Sequence, residues 1–300
     1  MVAGPKISAV LACHNRRLTT LNCLRRLHIA ARNQCRLKVF LLDDASTDGT
    51  AQDVQKRYPD VTIISGSGQL FWGGGMHLAM TQALREDFDF LLMLNDDVDL
   101  HTHGISLVLR DCGTVASHQK SNAQIIVGST TAPDSDIVTY SGFRRLHPRR
   151  PVKLARLDAM TCTPTACDTM NGNFVLIPRD VALLLGPVDK VFRHFLGDLD
   201  YGYRAVKAGA RLWVSSGPVG ACAASLRKKP FEAAGLSLAQ RLGRINTPLG
   251  LPILPWTVFM WRHGGVFGLL ELATIYFRVV FRIAKNRRGN QQNFNARASP

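Results

Sequence analysis

A chain of 300 residues, 46% of them apolar, is long enough for one large domain, or a domain with an appendage, around a full core. Its seven cysteines contain no CxxC pair, which argues against a zinc site or a redox dithiol and suits a reducing compartment. A net charge of +15 favours anionic partners, but no helix-turn-helix or zinc-finger signature and no interleaving of basic and aromatic residues accompanies it, so nucleic acid is not expected among them.

Met1 to Lys6 leads straight into an apolar run without the charged region, long apolar stretch and cleavage site of a signal peptide, so a cytosolic home is expected. Ile7 to Ala12 reads as a buried strand. A helix follows over 20–31, with Leu21, Leu24, Leu27 and Ala31 at helical spacing. Leu37 to Leu42 is a second strand, closed by Asp43 and Asp44. Ser46-Thr47-Asp48-Gly49-Thr50 supplies turn and capping chemistry before a helix through Arg57. Val61 to Ile64 is a third strand, Met76 to Glu86 a helix, and Phe90 to Leu94 a fourth strand, apolar throughout. This alternation predicts an α/β fold: a mostly parallel, Rossmann-like sheet with helices on both faces.

The middle of the chain is less regular. Gln124 to Ser129 and Asp136 to Ser141 read as strands. The segment 143–156 reads as a basic loop carrying Arg144, Arg145, Arg149, Arg150, Lys153 and Arg156. Phe174 to Ile177 is a strand, and Pro178 opens a helix through Leu185. A helix opening at Gly197 ends at Gly209, and Leu212 to Ser215 is a last strand. Thr247 to Trp261 lacks charge, but Pro248, Pro252 and Pro255 argue against a spanning helix. Val266 to Ile283 predicts an amphipathic helix, with Glu271, Arg278, Arg282 and Lys285 on one stripe. Two readings of it stay open: a helix packed on the protein's own core, or a contact with a membrane surface or a second copy. Lys285, Arg287 and Arg288 suit anionic lipid. The expected organisation is a catalytic domain over 1–225, with a nucleotide-binding half at 5–100 and an acceptor half at 101–225. A helical extension at 226–289 and a disordered tail at 290–300 follow.

Ligands of open α/β sheets bind beyond the carboxyl ends of the strands, where the polar clusters of this chain fall. Strand one ends in Ala12-Cys13-His14-Asn15-Arg16, strand two in Asp43-Asp44, strand four in Asn95-Asp96-Asp97. Adjacent carboxylates repel unless a cation lies near them, and Mg²⁺ or Mn²⁺ shared with a diphosphate is a natural occupant. A carboxylate just beyond strand two is placed to accept hydrogen bonds from a nucleobase, whereas Ser46 and Asp48 read as turn and cap residues. In Trp72-Gly73-Gly74-Gly75-Met76, glycines admit close approach of a ligand and the aromatic side chain offers a stacking surface. Asp198, after Gly197, is the candidate general base, with Asp200 and Arg204 four residues apart as a supporting pair. His194 lies close enough in sequence to line the same pocket.

In order and spacing, these residues and Asn171-Gly172-Asn173-Phe174 resemble family 2 glycosyltransferases over roughly residues 5–225. The likeness is greatest to the rhamnosyltransferase-like and galactofuranosyltransferase-like branch of bacterial cell-surface polysaccharide synthesis. The resemblance implies a fold of the GT-A type, inversion at the anomeric carbon and a donor such as a dTDP-rhamnose-like or UDP-hexose-like nucleotide sugar. It implies a nucleobase against Ala12, His14, Asn15, Arg16 and Asp43, with Asp44, Trp72, Gly73 and Asp96 completing the nucleotide site. It also implies a divalent metal on Asp97 assisted by Asp96, the base at Asp198, and Asn171, Gly172, Asn173 and His194 on the side of a glycan or lipid-linked acceptor. The tyrosine common before Asn15 is His14 here, and the acidic residue common before the base is Gly197. The Gln-x-x-Arg-Trp motif of processive members is absent, which favours addition of one sugar at a time. The rivals are a catalytically inactive glycan-binding or membrane-scaffold relative, a sugar-nucleotide pyrophosphorylase and a basic RNA-binding protein. The pyrophosphorylase would need an arginine-bearing glycine-rich loop that 13–19 does not supply.

Overall fold

The structure is a computed structural model and describes residues 4–158, 161–225, 229–233 and 235–296. The first seven elements follow the expected alternation: β1 (Lys6–Cys13), α1 (Arg17–Ala31), β2 (Arg36–Asp43), α2 (Thr50–Arg57), β3 (Thr62–Ser65), α3 (Phe71–Ala83) and β4 (Phe90–Leu94). Next come β5 (Asp99–Leu100), α4 (Gly104–Gln119), β6 (Gln124–Thr131), β7 (Val138–Tyr140), β8 (Phe143–Arg145), β9 (Leu154–Arg156) and β10 (Thr165–Cys167). Then follow β11 (Phe174–Pro178), α5 (Arg179–Leu185), α6 (Gly197–Lys207), β12 (Arg211–Ala221), a 3-10 turn at Pro230–Glu232, α7 (Leu238–Ile245) and α8 (Ile253–Ala296).

The main sheet runs β10-β12-β6-β11-β4-β1-β2-β3, with β5 beside β12 and β7 beside β6. β1 pairs parallel with both β2 and β4, and β2 with β3. β11 is antiparallel to β4 on one side and to β6 on the other. β6 therefore runs the same way as β4, and so does β12, which pairs parallel with β6. The carboxyl ends of β1, β2, β4 and β12 and the amino end of β11 thus meet along one edge, which is what positions the site.

Strand residues alternate between two cores because successive side chains leave a strand on opposite faces. Ala9, Leu11, Val39, Leu41, Leu92 and Leu94 pack under α1 and α4 through Leu24, Leu27, Ile105 and Val108. Val10, Phe40, Leu42, Leu91 and Met93 pack under α3 and α6 through Met76, Met80, Tyr201 and Ala205. A strand buried on both faces must be apolar at every position, as Phe90–Leu94 is.

Four features depart from the expected elements. The helix α4 was not foreseen, although Ile105, Val108, Cys112 and Val115 stand at helical spacing and are buried. The segment 143–156 is not all loop: β8 and β9 pair as a hairpin, Phe143 opposite Arg156. α3 begins at Phe71 rather than Met76, so the three glycines are helical. The C-terminal helix starts at Ile253, inside the proline-bearing stretch, breaks at Gly265 (φ 59°, ψ −146°), and continues to Ala296, into the stretch read as a tail. The last residues of that tail, 297–300, lie outside the described residues.

The chain divides into two compact units. One comprises 1–145 and 154–224 and holds the whole sheet. The other comprises 146–153 and 225–300 and has its own small core of Phe231, Ile245 and Leu251, against which Trp256, Ile275, Tyr276 and Val279 pack.

Candidate active site

The rim begins where β1 and β2 end side by side, Cys13 opposite Asp43. Asp43 is the last residue of β2 and Asp44 the first beyond it, and their carboxylates bind different partners. Asp43 Oδ1 accepts from Ser46 N at 3.1 Å and is reached by the Cys13 thiol at 3.9 Å. Both oxygens of Asp44 are committed to the chain: Oδ1 accepts from Gly68 N at 2.6 Å, and Oδ2 from Leu70 N and Phe71 N at 2.8 and 3.1 Å. Asp44 is thus the clamp of the loop that starts α3.

His14 and Asn15 are exposed, yet both are bonded to the turn that follows β2. His14 Nδ1 lies 2.6 Å from the Asp44 carbonyl oxygen. Asn15 donates from its backbone N–H to Ser46 Oγ and accepts from Thr47 N at 2.7 Å. Asp48 accepts from Arg17 N at 2.9 Å and Thr50 N at 3.1 Å, capping the starts of α1 and α2 as its turn position suggested.

Arg16 reaches across to the end of β4. Its guanidinium lies 3.0 Å from Asp96 Oδ1 and donates to Asp97 Oδ2 at 2.9 Å. Asp96 is buried and also accepts from Thr20 Oγ1 at 3.2 Å. Burial raises its carboxyl to about 6; Arg16 pulls it down and the Asp97 charge pushes it up. A guanidinium between two carboxylates is the protein's own stand-in for a cation, and the oxygen-only donors match what Mg²⁺ or Mn²⁺ takes. Among the described residues no group of three His, Cys, Asp or Glu is gathered for a metal. The protein thus offers two carboxylates, and a divalent ion there would draw its remaining ligands from diphosphate and water.

Cys222, just past β12, places its thiol 3.6 Å from Asp97 Oδ1 and accepts from Asn173 Nδ2 at 3.5 Å. Burial, then the Asp97 charge, pushes this thiol up to about 12, so it stands there as a neutral donor. Sequence reading passed over Cys222; its position after the last parallel strand was the available signal.

Asn95 ties this rim to the far wall. It donates two hydrogen bonds to Asn173, from N to O at 2.9 Å and from Nδ2 to Oδ1 at 2.7 Å, and accepts from Trp72 Nε1 at 2.7 Å. Asn173 is buried, and its N donates to Asn171 Oδ1 at 3.0 Å. The Trp72 ring lies flat against two glycines. A Cβ on Gly172 would stand 2.5 Å from Trp72 Cζ2 and 3.2 Å from the Asp198 Cβ, and one on Gly197 3.5 Å from Trp72 Cζ3.

Asp198 therefore lies beside the indole. It sits in the first turn of α6, whose N-cap is Leu196, so it is not the cap. Its Oδ1 accepts from Leu199 N at 2.9 Å and its Oδ2 from Gly172 N at 3.1 Å. The carboxyl keeps a partial opening to solvent, yet burial raises it above the ordinary carboxylate range against the pull of those N–H groups. Asp200 and Arg204 form the expected pair at 2.8 Å, and Arg204 also donates to the Leu185 carbonyl. His194 stacks edge-on with Phe71 and Phe195 at 6.1 and 4.5 Å between centroids.

The glycines of α3 serve the chain itself rather than an approaching ligand. A Cβ on Gly73 would stand 1.8 Å from the Phe192 carbonyl oxygen, and one on Gly75 2.8 Å from Ala12 Cβ. Gly73 N donates to the Arg193 carbonyl at 2.7 Å, joining the first turn of α3, which carries Trp72, to the segment that leads into α6 and Asp198. Asn15, Ala45, Phe71 and Leu196 all take left-handed φ (50°, 56°, 57° and 73°), and all lie in the loops of this rim. Such conformations cost on the order of 1–3 kcal/mol each and persist where the surroundings fix them.

A largely parallel α/β sheet with acidic clusters at its strand ends, linked through Asn95, Asn173 and Gly172 to a partly buried carboxylate, is the arrangement of a transferase of the GT-A class. The sequence matches Glycosyl transferase family 2 over residues 8–175, more than half of the chain. The chain belongs to that family and is a glycosyltransferase. No curated protein matches it in sequence. Among solved structures it is similar to a mannosyltransferase from Pyrobaculum calidifontis in complex with GDP-Man and Mn²⁺, at 14% identity and TM-score 0.49, over 96% of this chain and 81% of that one. It is also similar to S. aureus TarS 1–349, at 14% identity and TM-score 0.48, over 80% of this chain and 72% of that one. The same TarS fragment in complex with UDP-GlcNAc aligns at 15% identity and TM-score 0.48, over 80% and 64%.

Proposed function

We propose that the protein moves a single sugar, with inversion, from a nucleoside-diphosphate donor to a hydroxyl of a glycan or lipid-linked acceptor in cell-surface polysaccharide synthesis, on the cytosolic side. Asp43, with Ala12 and the 14–16 turn, takes the nucleobase end. Asp97, assisted by Asp96, holds Mg²⁺ or Mn²⁺ with the diphosphate. A divalent ion there supplies positive charge against the leaving diphosphate. Arg16 turns from Asp97 to a diphosphate oxygen as the donor arrives.

Asp198 acts as the general base. Its carboxylate takes the proton of the acceptor hydroxyl while that oxygen forms its bond to the anomeric carbon. The bond from that carbon to the diphosphate oxygen breaks, and its electron pair leaves with the nucleoside diphosphate. Trp72 excludes water from one side of the base, and the N–H groups of Gly172 and Leu199 fix its direction. Asn171, Gly172 and His194 border the acceptor.

The observation that carries this reading is the linkage of Asp198 to the acidic rim: Gly172 N to Asp198, Asn95 to Asn173, and Trp72 to Asn95, all within 2.7–3.1 Å. The deciding experiment is calorimetry with UDP, dTDP and GDP, each with and without Mn²⁺. One of them should bind, and more tightly with metal. Absence of binding by all three would favour a catalytically inactive relative.

A further inference from the structure

The two units differ sharply in charge. Residues 1–145 and 154–224 carry 22 Lys and Arg against 20 Asp and Glu, a net of +2. Residues 146–153 and 225–300 carry 15 Lys and Arg against two acids, Glu232 and Glu271, a net of +13. Nearly all of the basic excess of the chain therefore belongs to the unit without the sheet.

That unit also holds most of the large apolar side chains left open to solvent. In the first segment of α8, Ile253, Leu254 and Trp261 are exposed, while Phe259 and Met260 are buried. After the break at Gly265, Val266, Leu270, Phe277 and Phe281 recur at spacings of four, seven and four, which puts them on one helical stripe. Phe277 is 71% exposed. The opposite side of the same helix is covered, since Ile275, Tyr276 and Val279 pack on Phe231, Ile245 and Leu251.

The one acid of the helix is hidden. Glu271 pairs with Arg150 at 2.7 Å and its side chain is 8% exposed. The expected charged stripe is thus not an open acidic and basic face at this point. Arg149 lies over the Phe267 ring at 4.3 Å, a cation at the margin of the apolar stripe. Lys153, Lys229, Arg244 and Arg278 of the same unit are exposed.

The stretch Ile253–Phe281 has the length and composition of a membrane span. The break divides it into pieces of about 18 and about 24 Å at 1.5 Å per residue, each shorter than a bilayer core of about 30 Å. One side of the second piece is also occupied by protein. An apolar stripe flanked by cations, with its other side packed, suits a helix lying in the interface rather than crossing it.

We propose that this unit is a docking surface for an anionic lipid bilayer, with the open stripe of α8 entering the interfacial layer and the Lys and Arg side chains meeting the headgroups. The inference rests on charge and exposure and does not depend on the catalytic reading. The test uses the full chain in flotation with phosphatidylcholine vesicles and with vesicles of about one-third phosphatidylglycerol. Binding to the anionic vesicles should exceed that to the neutral ones by about tenfold, and should weaken in high salt. The variant Leu270→Ser/Phe277→Ser/Phe281→Ser should lose about tenfold in binding with an unchanged melting temperature, and Lys153→Glu/Arg244→Glu/Arg278→Glu should lose the preference for anionic lipid. Asp198→Asn should float as the wild type does, so failure of catalysis and failure of docking are separately visible. Equal partition onto both vesicle types, or onto neither, overturns the proposal. So does a dimer in light scattering that the triple serine variant dissolves, which would assign the stripe to a second copy of the chain.

Discussion

Arg16 donates to Asp97 at 2.9 Å, so the carboxylate expected to bind a metal is held by a cation of the chain's own. A divalent ion and this guanidinium compete for the same oxygens until a diphosphate offers Arg16 another anion. The metal and the nucleotide should therefore bind with positive coupling. Removing the side chain in Arg16→Ala should strengthen binding of Mn²⁺ alone by about tenfold and weaken that of the nucleoside diphosphate. Electron paramagnetic resonance of free Mn²⁺ during titration reads the first effect and calorimetry the second. Unchanged affinity for Mn²⁺ in the variant would remove Arg16 from the competition.

Asp198→Asn should lower the transfer rate by about 10²-fold or more, the usual contribution of a general base, while nucleotide affinity stays within about twofold. Full turnover by the purified variant would transfer the role to another group.

The acidic limb of the rate profile should fall above the ordinary carboxylate range, because burial raises the Asp198 carboxyl and only the ionised form accepts a proton. Stability follows the same shift. The native state binds this proton more strongly than the unfolded chain does, so the contribution is present below the unfolded pKa, near 3.8, and is lost as pH rises through the folded value. Melting temperatures of the wild type should decline over that window, and those of Asp198→Asn should decline less. Parallel curves would show that Asp198 is not strained when charged.

Trp72→Phe should keep most of the packing on Gly172 and Gly197 but lose the bond from Nε1 to Asn95. We expect a stability loss of about 1 kcal/mol and a fall in kcat with little change in KM for the donor. Trp72→Ala opens the side of Asp198 to water and should move the acidic limb to lower pH. A limb that does not move would mean that the indole does not set the ionisation of the base.

Gly73→Ala places a Cβ 1.8 Å from the backbone oxygen of Phe192, which no side-chain rotation relieves. Destabilisation of about 3 kcal/mol or more is expected by thermal melting. Gly68→Ala should cost about 1 kcal/mol, since only its left-handed φ of 80° resists the change.

The parallel half of the sheet was legible because strands buried on both faces need unbroken apolar runs, and Val39–Leu42 and Phe90–Leu94 supply them. The acidic clusters were legible because strand ends are where such sheets bind ligands. What the sequence hid is contact across distance. The three glycines looked like room for a ligand, but their neighbours are the chain's own: Phe192 at Gly73, Leu70 at Gly74, and Ala12 and Leu42 at Gly75. Asp44 looked equivalent to Asp43 until its oxygens were found on the amides of 68–71. Cys222 lies 125 residues from Asp97, and no local pattern marks their meeting. The β8–β9 hairpin was masked by its arginines, whose charge reads as loop while their backbone pairs.

The division of labour between Asp43 and Asp44 has an evolutionary consequence. Neighbours in sequence, they are subject to separate pressures under the proposed function: Asp43 would border the donor, while Asp44 holds the amides that lead into α3 and Trp72. Preference among nucleotides can drift around position 43 without disturbing the acceptor wall, but a change at 44 would be felt on both substrates at once.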